Sequence, residues 1–325
     1  MTYPKYFIQT ESWAQFWLDA SLPKHSFYSL ADGEKSIIAY KYPWHLGQSF
    51  LYVPKALHLT ENLQNQLIKL GKKLRASYIK IDFDDQCDDL NRIYIQPKFK
   101  LSKKTLQFMQ TMTLDTSKIT LPEKLLNKHT PTPSKLKEFY TQNIPHFWQQ
   151  TNQNIRRYTK KSCDQQWIIS TEKSPENFAS FWSIYSQTKD RQQFAIQPKS
   201  YLQKLFNQGF SRIIIIKDSE NTPQCVWLGL STENTLTYLA GGNTDYSFEY
   251  HGQYLAHLVA TLICSQEKLP FYDLGGYNPD LGFGKFKEGY RGDVRTFQGP
   301  FDIVLRPIIY SCVSLIVDII KRVKP

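Results

Sequence analysis

The sequence predicts an α+β fold with mixed sheets, divided into two domains. Three observations lead there. Its 325 residues are about twice the length of a common single domain. Short β-rich runs such as Ser36–Tyr42, Ser49–Pro54 and Ile213–Ile216 alternate with longer segments whose apolar residues recur every three or four positions. A polar stretch from Ile119 to Gln150, carrying Pro122, Pro131, Pro133 and Pro145, interrupts that alternation as a linker or surface insertion would.

Composition narrows the class. With 41% hydrophobic and 14% aromatic residues the chain can fill packed cores and is not disordered. Its net charge of +11 and pI near 9.2 imply an anionic partner: nucleic acid, a phosphate-rich substrate or an acidic membrane surface. The five cysteines are scattered without a C-x-x-C pair, which supports neither zinc nor a disulfide framework and suits a reducing cytoplasm. The start lacks an apolar core of signal-peptide length, and no apolar run reaches the roughly 18 residues a spanning helix needs.

In chain order, Ser12 caps a helix with Trp13, Phe16 and Trp17 on one side, where core packing explains the aromatics. Ser36–Tyr42 and Ser49–Pro54 are strands. Thr60 caps a helix with Leu63, Leu67, Leu70 and Leu74 on one face and Lys69, Lys72, Lys73 and Arg75 on the other; that basic face is either solvated or an RNA contact. Tyr78–Asp82 is a strand. Within the polar insertion, Leu136, Phe139 and Tyr140 mark a short helix. Residues 153–161 form a helix with Arg156, Arg157, Lys160 and Lys161, like-charge neighbours four apart that an anion would relieve. Ser174-Pro175 opens a helix ending near Arg191, by itself a cation at a helix end with a capping or dipole role. Val226–Leu230 and Thr235–Leu239 make a hairpin, followed by Gly241-Gly242 as a turn and a helix from about Phe248 to Gln266. The last helix, Ile308 to Arg322, is apolar at its centre and basic at its end, and either lies on a membrane surface or docks on the first domain.

The richest stretch is Phe271–Ile303. A short strand breaks at Gly275-Gly276, loops through Asn278-Pro279, presents Lys285, Lys287 and Arg291, and returns as a strand near Phe297. Adjacent glycines let a ligand approach the main chain, and the cations suit an anionic ligand; a solvated glycine turn is the competing reading.

These residues carry a resemblance. Asp273-Leu274-Gly275-Gly276, then Phe286-Lys287-Glu288-Gly289-Tyr290-Arg291-Gly292, then Phe301-Asp302-Ile303-Val304 resemble the end of the second domain of the FemABX family, enzymes that move an amino acid from aminoacyl-tRNA onto a peptidoglycan precursor peptide. Further pieces resemble the family in order: Gln9 to Trp13, Tyr52-Val53-Pro54-Lys55-Ala56 (with alanine where the family has glycine), Gln110 to Ser117, the Arg156–Lys161 helix, Thr188 to Phe194 and Tyr238 to Asn243. The resemblance covers about residues 6 to 310, with 119–150 as its gap and no coiled-coil arm.

It implies two GNAT-like domains with a cleft between them: 1–145, with the insertion at 119–150, and 146–300, followed by a helix at 301–325 packing back on the first. It implies Lys287 as the catalytic residue, near the tRNA 3′ end and the reacting carbonyl. Arg191, with Lys41 or Lys55, would hold the diphosphate or peptide carboxylate of the precursor, beside Tyr238, Gly241, Gly275, Gly276, Lys285 and Arg291. Arg156, Arg157, Lys160 and Lys161 would contact tRNA. Asp115 is a weak candidate base with a structural role at its strand end. The partners implied are aminoacyl-tRNA as donor and UDP-MurNAc-pentapeptide or lipid II as acceptor, with no cofactor, no metal, a cytoplasmic location and peripheral contact with the inner membrane face. No serine triad, H-E-x-x-H, phosphate loop or coenzyme A signature is present, and His251 and His257 are poorly spaced for a metal. Two other classes stay open: a GNAT-type enzyme using another acyl donor or acceptor, such as acyl-CoA or a protein N-terminus, and a non-catalytic RNA- or lipid-binding protein.

Overall fold

The computed structural model describes residues 4–21, 24–43, 47–87, 99–102, 105–122 and 131–312. In chain order the elements are α1 (Glu11–Ala20), β1 (Ser26–Asp32), β2 (Lys35–Pro43), β3 (Ser49–Ala56), α2 (Glu61–Lys73), β4 (Tyr78–Asp84), β5 (Phe99–Leu101), β6 (Gln110–Asp115), α3 (Pro133–Asn143), α4 (Gln153–Cys163), β7 (Ile168–Ser170), α5 (Pro175–Gln192), α6 (Lys199–Phe206), β8 (Ser211–Lys217), β9 (Pro223–Ser231), β10 (Thr235–Asn243), α7 (Asp245–Glu249), α8 (Gly252–Glu267), β11 (Phe271–Gly276), α9 (Gly282–Glu288) and β12 (Asp293–Val304).

The chain divides into two compact units, Ile8–Met109 with Arg295–Pro325, and Met1–Phe7 with Gln110–Val294. The division differs from the expected boundary near residue 145, because β6 pairs with β11, Leu114 opposite Tyr272, and so belongs with the later strands. Likewise β12 pairs with β4, Ile303 opposite Ile79, so the chain's end completes the earlier unit.

In the unit built on residues 8–109, β1, β2 and β3 are antiparallel neighbours, β3 and β4 run parallel, and β12 pairs antiparallel with both β4 and β5. Parallel neighbours need a crossover, and α2 supplies it. Thr60 caps α2, accepting from Leu63 N at 3.2 Å, and Leu63 and Leu67 are buried against Val53, Ile79 and Ile81. The cap of α1 is Thr10, not Ser12: its hydroxyl accepts from Trp13 N. Lys80 and Asp302 form a buried ion pair at 2.8 Å, and Tyr310 donates to the other Asp302 oxygen at 2.8 Å. Tyr310 lies in a helical segment, 307–312, and packs edge-on against Tyr78; the remainder of the expected C-terminal helix lies outside the described residues.

In the other unit the sheet order is β6-β11-β10-β9-β8-β7, antiparallel except for the parallel pair β10/β11. The crossover between that pair carries α7 and α8, and α8 buries Leu255, Leu258, Val259 and Leu262. Within the stretch expected as a linker or surface insertion, the short helix expected at Leu136, Phe139 and Tyr140 is present as α3, which buries all three, and Phe147 and Trp148 are also buried beyond it. Burial of these rings outweighs the local polarity that marked the segment as a linker. Among the described residues no helix is long and apolar enough to cross a membrane.

Candidate functional site

The parallel ladder of β10 and β11 pairs Thr235 with Phe271, Leu236 with Tyr272 and Thr237 with Asp273. Beyond it both strands turn aside. β10 is bulged against β9 between Tyr238 and Ala240, and β11 turns at Gly275, φ +77°. Only glycine fits there, since a Cβ would lie 2.5 Å from the Tyr238 carbonyl oxygen. The buried carboxylate of Asp273 holds the turn by accepting from Gly275 N at 2.8 Å and from the Thr111 hydroxyl. Thr111 therefore ties β6 to the glycine turn, its Oγ1 also lying 2.9 Å from the Gly275 oxygen.

The segment after the turn is a short helix, α9, rather than the expected open loop. Its two glycines disfavour a helix locally. Gly284 is required all the same, because a Cβ would come within 1.8 Å of the Asn278 carbonyl oxygen, against which the helix packs. In the last turn of α9, Lys287 points back to the glycine turn and its Nζ donates to the Gly276 oxygen at 2.6 Å. The side chain is buried, with its ammonium 5.0 Å from the Phe283 ring centre and 5.9 Å from that of Tyr238. Burial pulls the Lys287 pKa down to about 8, against the opposing charge of Asp273. At neutral pH it is mostly an ammonium, poorly hydrated and with few partners.

A buried polar chain supports this wall. Trp227 Nε1, which can only donate, lies 3.2 Å from the Tyr272 hydroxyl. Tyr272 must then give its own proton to His257 Nδ1, 2.6 Å away, which keeps His257 neutral with its proton on Nε2. Burial, with the Lys287 charge second, pushes the His257 pKa down to about 3. His257 packs among Tyr238, Phe286 and Tyr290, at ring separations of 5.2, 5.3 and 5.6 Å.

From the surroundings of Lys287 a run of rings reaches the basic helix α4. Phe286, next to Lys287 in sequence, packs on Tyr254 at 5.3 Å; Tyr254 meets Tyr158 at 5.3 Å, and Tyr158 meets His251 at 4.2 Å. Arg157 lies over Tyr158 at 4.6 Å. Burial, then the charges of Lys161 and Arg157, lowers the His251 pKa. His251 and His257 thus sit among different neighbours. Among the described residues no cluster of three or more histidine, cysteine or acidic side chains could hold a metal.

The structure therefore brings Lys287, Gly275, Gly276 and Tyr238 together, with Gly241 close by because the Tyr238 hydroxyl would stand 2.6 Å from a Cβ there. Gly241 and Gly242 lie within strand β10 and not in a turn; their missing side chains make room for Tyr238 and for Ile184 and Thr188 of α5. Lys285 and Arg291 are exposed. Lys160 and Lys161 are exposed with Arg157 on α4, whereas Arg156 turns to the carbonyl oxygens of Gln149, at 3.1 Å, and of Thr151. Arg191 donates to the Asn243 oxygen at 2.9 Å, pairs with Asp245 at 3.3 Å and lies over Phe248. Asp115 sits at the opposite end of β11, opposite Phe271, where it accepts from Ser117 N and Oγ in a local turn, a structural role. Lys41 and Lys55 belong to the other unit; Lys55 has φ +48° and its ammonium lies 4.4 Å over the Phe297 ring.

Sequence reasoning missed Asp273 and Thr111 as builders of the turn, and Tyr272, His257 and Phe286 as the wall around the lysine. Asp273 is readable in principle, since an aspartate two residues before a glycine is the pattern of a side chain capping a turn. The Trp227–Tyr272–His257 chain joins residues 15 to 45 positions apart and leaves no local signal.

Comparison with known proteins follows this geometry. Residues 210–317, which include β8 to β12, match the FemAB family model. No curated protein matches the chain. A crystal structure of FemX is similar over 95% of this chain and 94% of its own, with 13% identity and a TM-score of 0.73. A conserved protein of unknown function from Bacteroides thetaiotaomicron is similar over 90% of this chain and 89% of its own, with 10% identity and a TM-score of 0.51. A tandem GNAT protein from the clavulanic acid biosynthesis pathway, covering 93% of this chain and 88% of its own at 8% identity, reaches 0.47. The resemblance read from the motifs is thus to the FemABX family on two counts: residues 210–317 match the FemAB family model, and the fold of nearly the whole chain is that of FemX.

Proposed function

We propose that the protein is an aminoacyltransferase that moves an amino acid from aminoacyl-tRNA to the peptide amine of a peptidoglycan precursor, UDP-MurNAc-pentapeptide or lipid II. The family match and the FemX fold support an acyltransferase of this class. The observation that carries the chemistry is the buried Lys287 ammonium at the glycine turn. In aminoacyl transfer the acceptor amine attacks the ester carbonyl, whose oxygen gains negative charge. The N–C bond then forms, the ester C–O bond breaks, the ribose oxygen leaves with a proton and the amine gives one up. A buried cation with little water to reorganise stabilises that oxygen far better than an exposed one. Positioning does the rest, so the reading needs no cofactor beyond the charged tRNA.

The rings from Phe286 to Tyr158, ending at Arg157, Lys160 and Lys161, suit an unpaired tRNA 3′ end: bases stack on aromatic faces while cations meet phosphates. Arg191, and in the other unit Lys41 or Lys55, are each proposed as contacts to the acceptor's anionic groups, with work at the cytoplasmic membrane face if the acceptor is lipid II. The test is donor dependence. Tyrosine, alanine and the other amino acids charged on total tRNA, offered with either precursor, should give transfer that RNase abolishes. Transfer from acyl-CoA that survives RNase would overturn the tRNA reading and keep the acyltransferase; no transfer from any donor would remove both.

A further inference from the structure

The unit built on residues 8–109 has an open surface pocket of about 560 Å³ whose lining, among the described residues, includes Gln48, Lys72, Arg75, Leu305 and Arg306 and no acidic residue; the three cations are exposed. Lys72 and Arg75 come from the end of α2, and Arg306 from the segment after β12, so three cations from two distant parts of the chain converge on one space. Cations at a helix C-terminus are favourable by themselves, which accounts for Lys72 and Arg75 but not for Arg306.

Arg75 occupies a position that favours glycine. Arg75 N donates to the Lys72 oxygen at 3.1 Å and Ala76 N to the Gly71 oxygen at 2.9 Å, the paired bonds of a helix end closed by a left-handed residue. Arg75 is that residue, at φ +53°, a conformation that costs a side chain about 1 kcal/mol. The fold therefore carries an arginine where glycine would be more stable, and that arginine lines the pocket. Arg306 is pinned from the other side: its N and that of Leu305 both donate to the Ser77 oxygen at 3.0 Å, and its Nη1 donates to Gln48 Oε1 at 3.0 Å. An anion seated in this space would meet two guanidinium forks and an ammonium, donors that match a phosphate's oxygens. The volume exceeds that of a lone phosphate and suits a larger group bearing one. Ile308, two residues beyond Arg306, is 82% exposed, an apolar neighbour that a lipid-borne phosphate would also meet.

We propose that this pocket is an anion site for a phosphodiester or diphosphate group, separate from the Lys287 site and independent of any transfer reaction. Two probes distinguish the sources: pyrophosphate by calorimetry, and sedimentation with vesicles of phosphatidylglycerol against phosphatidylcholine. Arg75→Gly is the informative variant, because it removes a cation while relieving the backbone. It and Arg306→Gln should each weaken binding about tenfold, the value of one charge-assisted hydrogen bond, with the melting temperature of Arg75→Gly unchanged or raised. Lys69→Ala removes the same charge from α2 at a residue that does not line the pocket and should leave binding intact. Pyrophosphate binding marks a free diphosphate source; binding to phosphatidylglycerol vesicles alone marks a lipid source. Failure of both probes to bind, or equal weakening by Lys69→Ala, overturns the site.

Discussion

Replacing Lys287 with methionine should make the protein more stable and less active. The folded state holds this lysine with a pKa lowered from 10.5 to about 8, chiefly by burial. A depression of that size corresponds to about 3 kcal/mol of destabilisation of the charged form. Methionine has similar length and no charge to desolvate, so the penalty disappears. Against this stands the lost hydrogen bond to the Gly276 oxygen, worth about 1 kcal/mol net. The expected gain is about 1–2 kcal/mol at pH 7. The sign follows from the direction of the shift: between pH 8 and 10.5 the unfolded chain binds more protons than the native one. The wild-type penalty is therefore full below about pH 8 and gone above 10.5. Urea unfolding of both proteins at pH 7 and pH 10.5 reads this directly, with the advantage of Lys287→Met shrinking at the higher pH. A variant less stable than wild type at pH 7 would refute the reasoning, and would make Lys287 a structural tie for the glycine turn.

Three other outcomes follow from the same geometry. Gly275→Ala forces a Cβ into φ +77° and onto the Tyr238 carbonyl, so it should lose at least about 2 kcal/mol in urea unfolding. Tyr272→Phe strands Trp227 Nε1 and His257 Nδ1 in a buried site and should cost about 2 kcal/mol, readable as a lower melting temperature without a change in secondary-structure content. In the other unit, Asp82 is pushed up to about 6 by burial, which outweighs the Tyr52 hydrogen bond and the charges of Lys80 and Lys55. Its raised pKa makes stability fall as pH climbs from about 4 to 6, by up to about 3 kcal/mol, and Asp82→Asn should flatten that slope in denaturation at pH 4, 5 and 6.

Much of the fold was legible because its signals are local. Thr60 and Ser174 cap helices as their types require, and the four isoleucines of β8 are all buried. Asp273, Gly275, Gly276 and Lys287, adjacent in the motif order, are also joined by hydrogen bonds in the fold. What stayed hidden depends on distant partners. β1 has no buried residue to betray it, and its pairing with β2 defines it. α9 reads as a loop from its two glycines, yet Gly284 is there for the Asn278 carbonyl. Gly241 and Gly242 look like a turn and are strand residues crossed by Tyr238 and α5. The division of the chain was misplaced because a strand's sequence does not name its neighbour: β6 joins β11, and β12 returns to β4.

The most direct test of the central claim is single-turnover transfer from preformed aminoacyl-tRNA to the precursor, from pH 7 to 9, in wild type, Lys287→Arg and Lys287→Met. If the Lys287 ammonium stabilises the reacting carbonyl, its charged fraction, and the wild-type rate relative to Lys287→Arg, should fall about tenfold from pH 7 to 9. Lys287→Met should be slower by about a hundredfold or more at pH 7 while remaining folded. Transfer by Lys287→Met at the wild-type rate, with the same pH profile, would contradict the account.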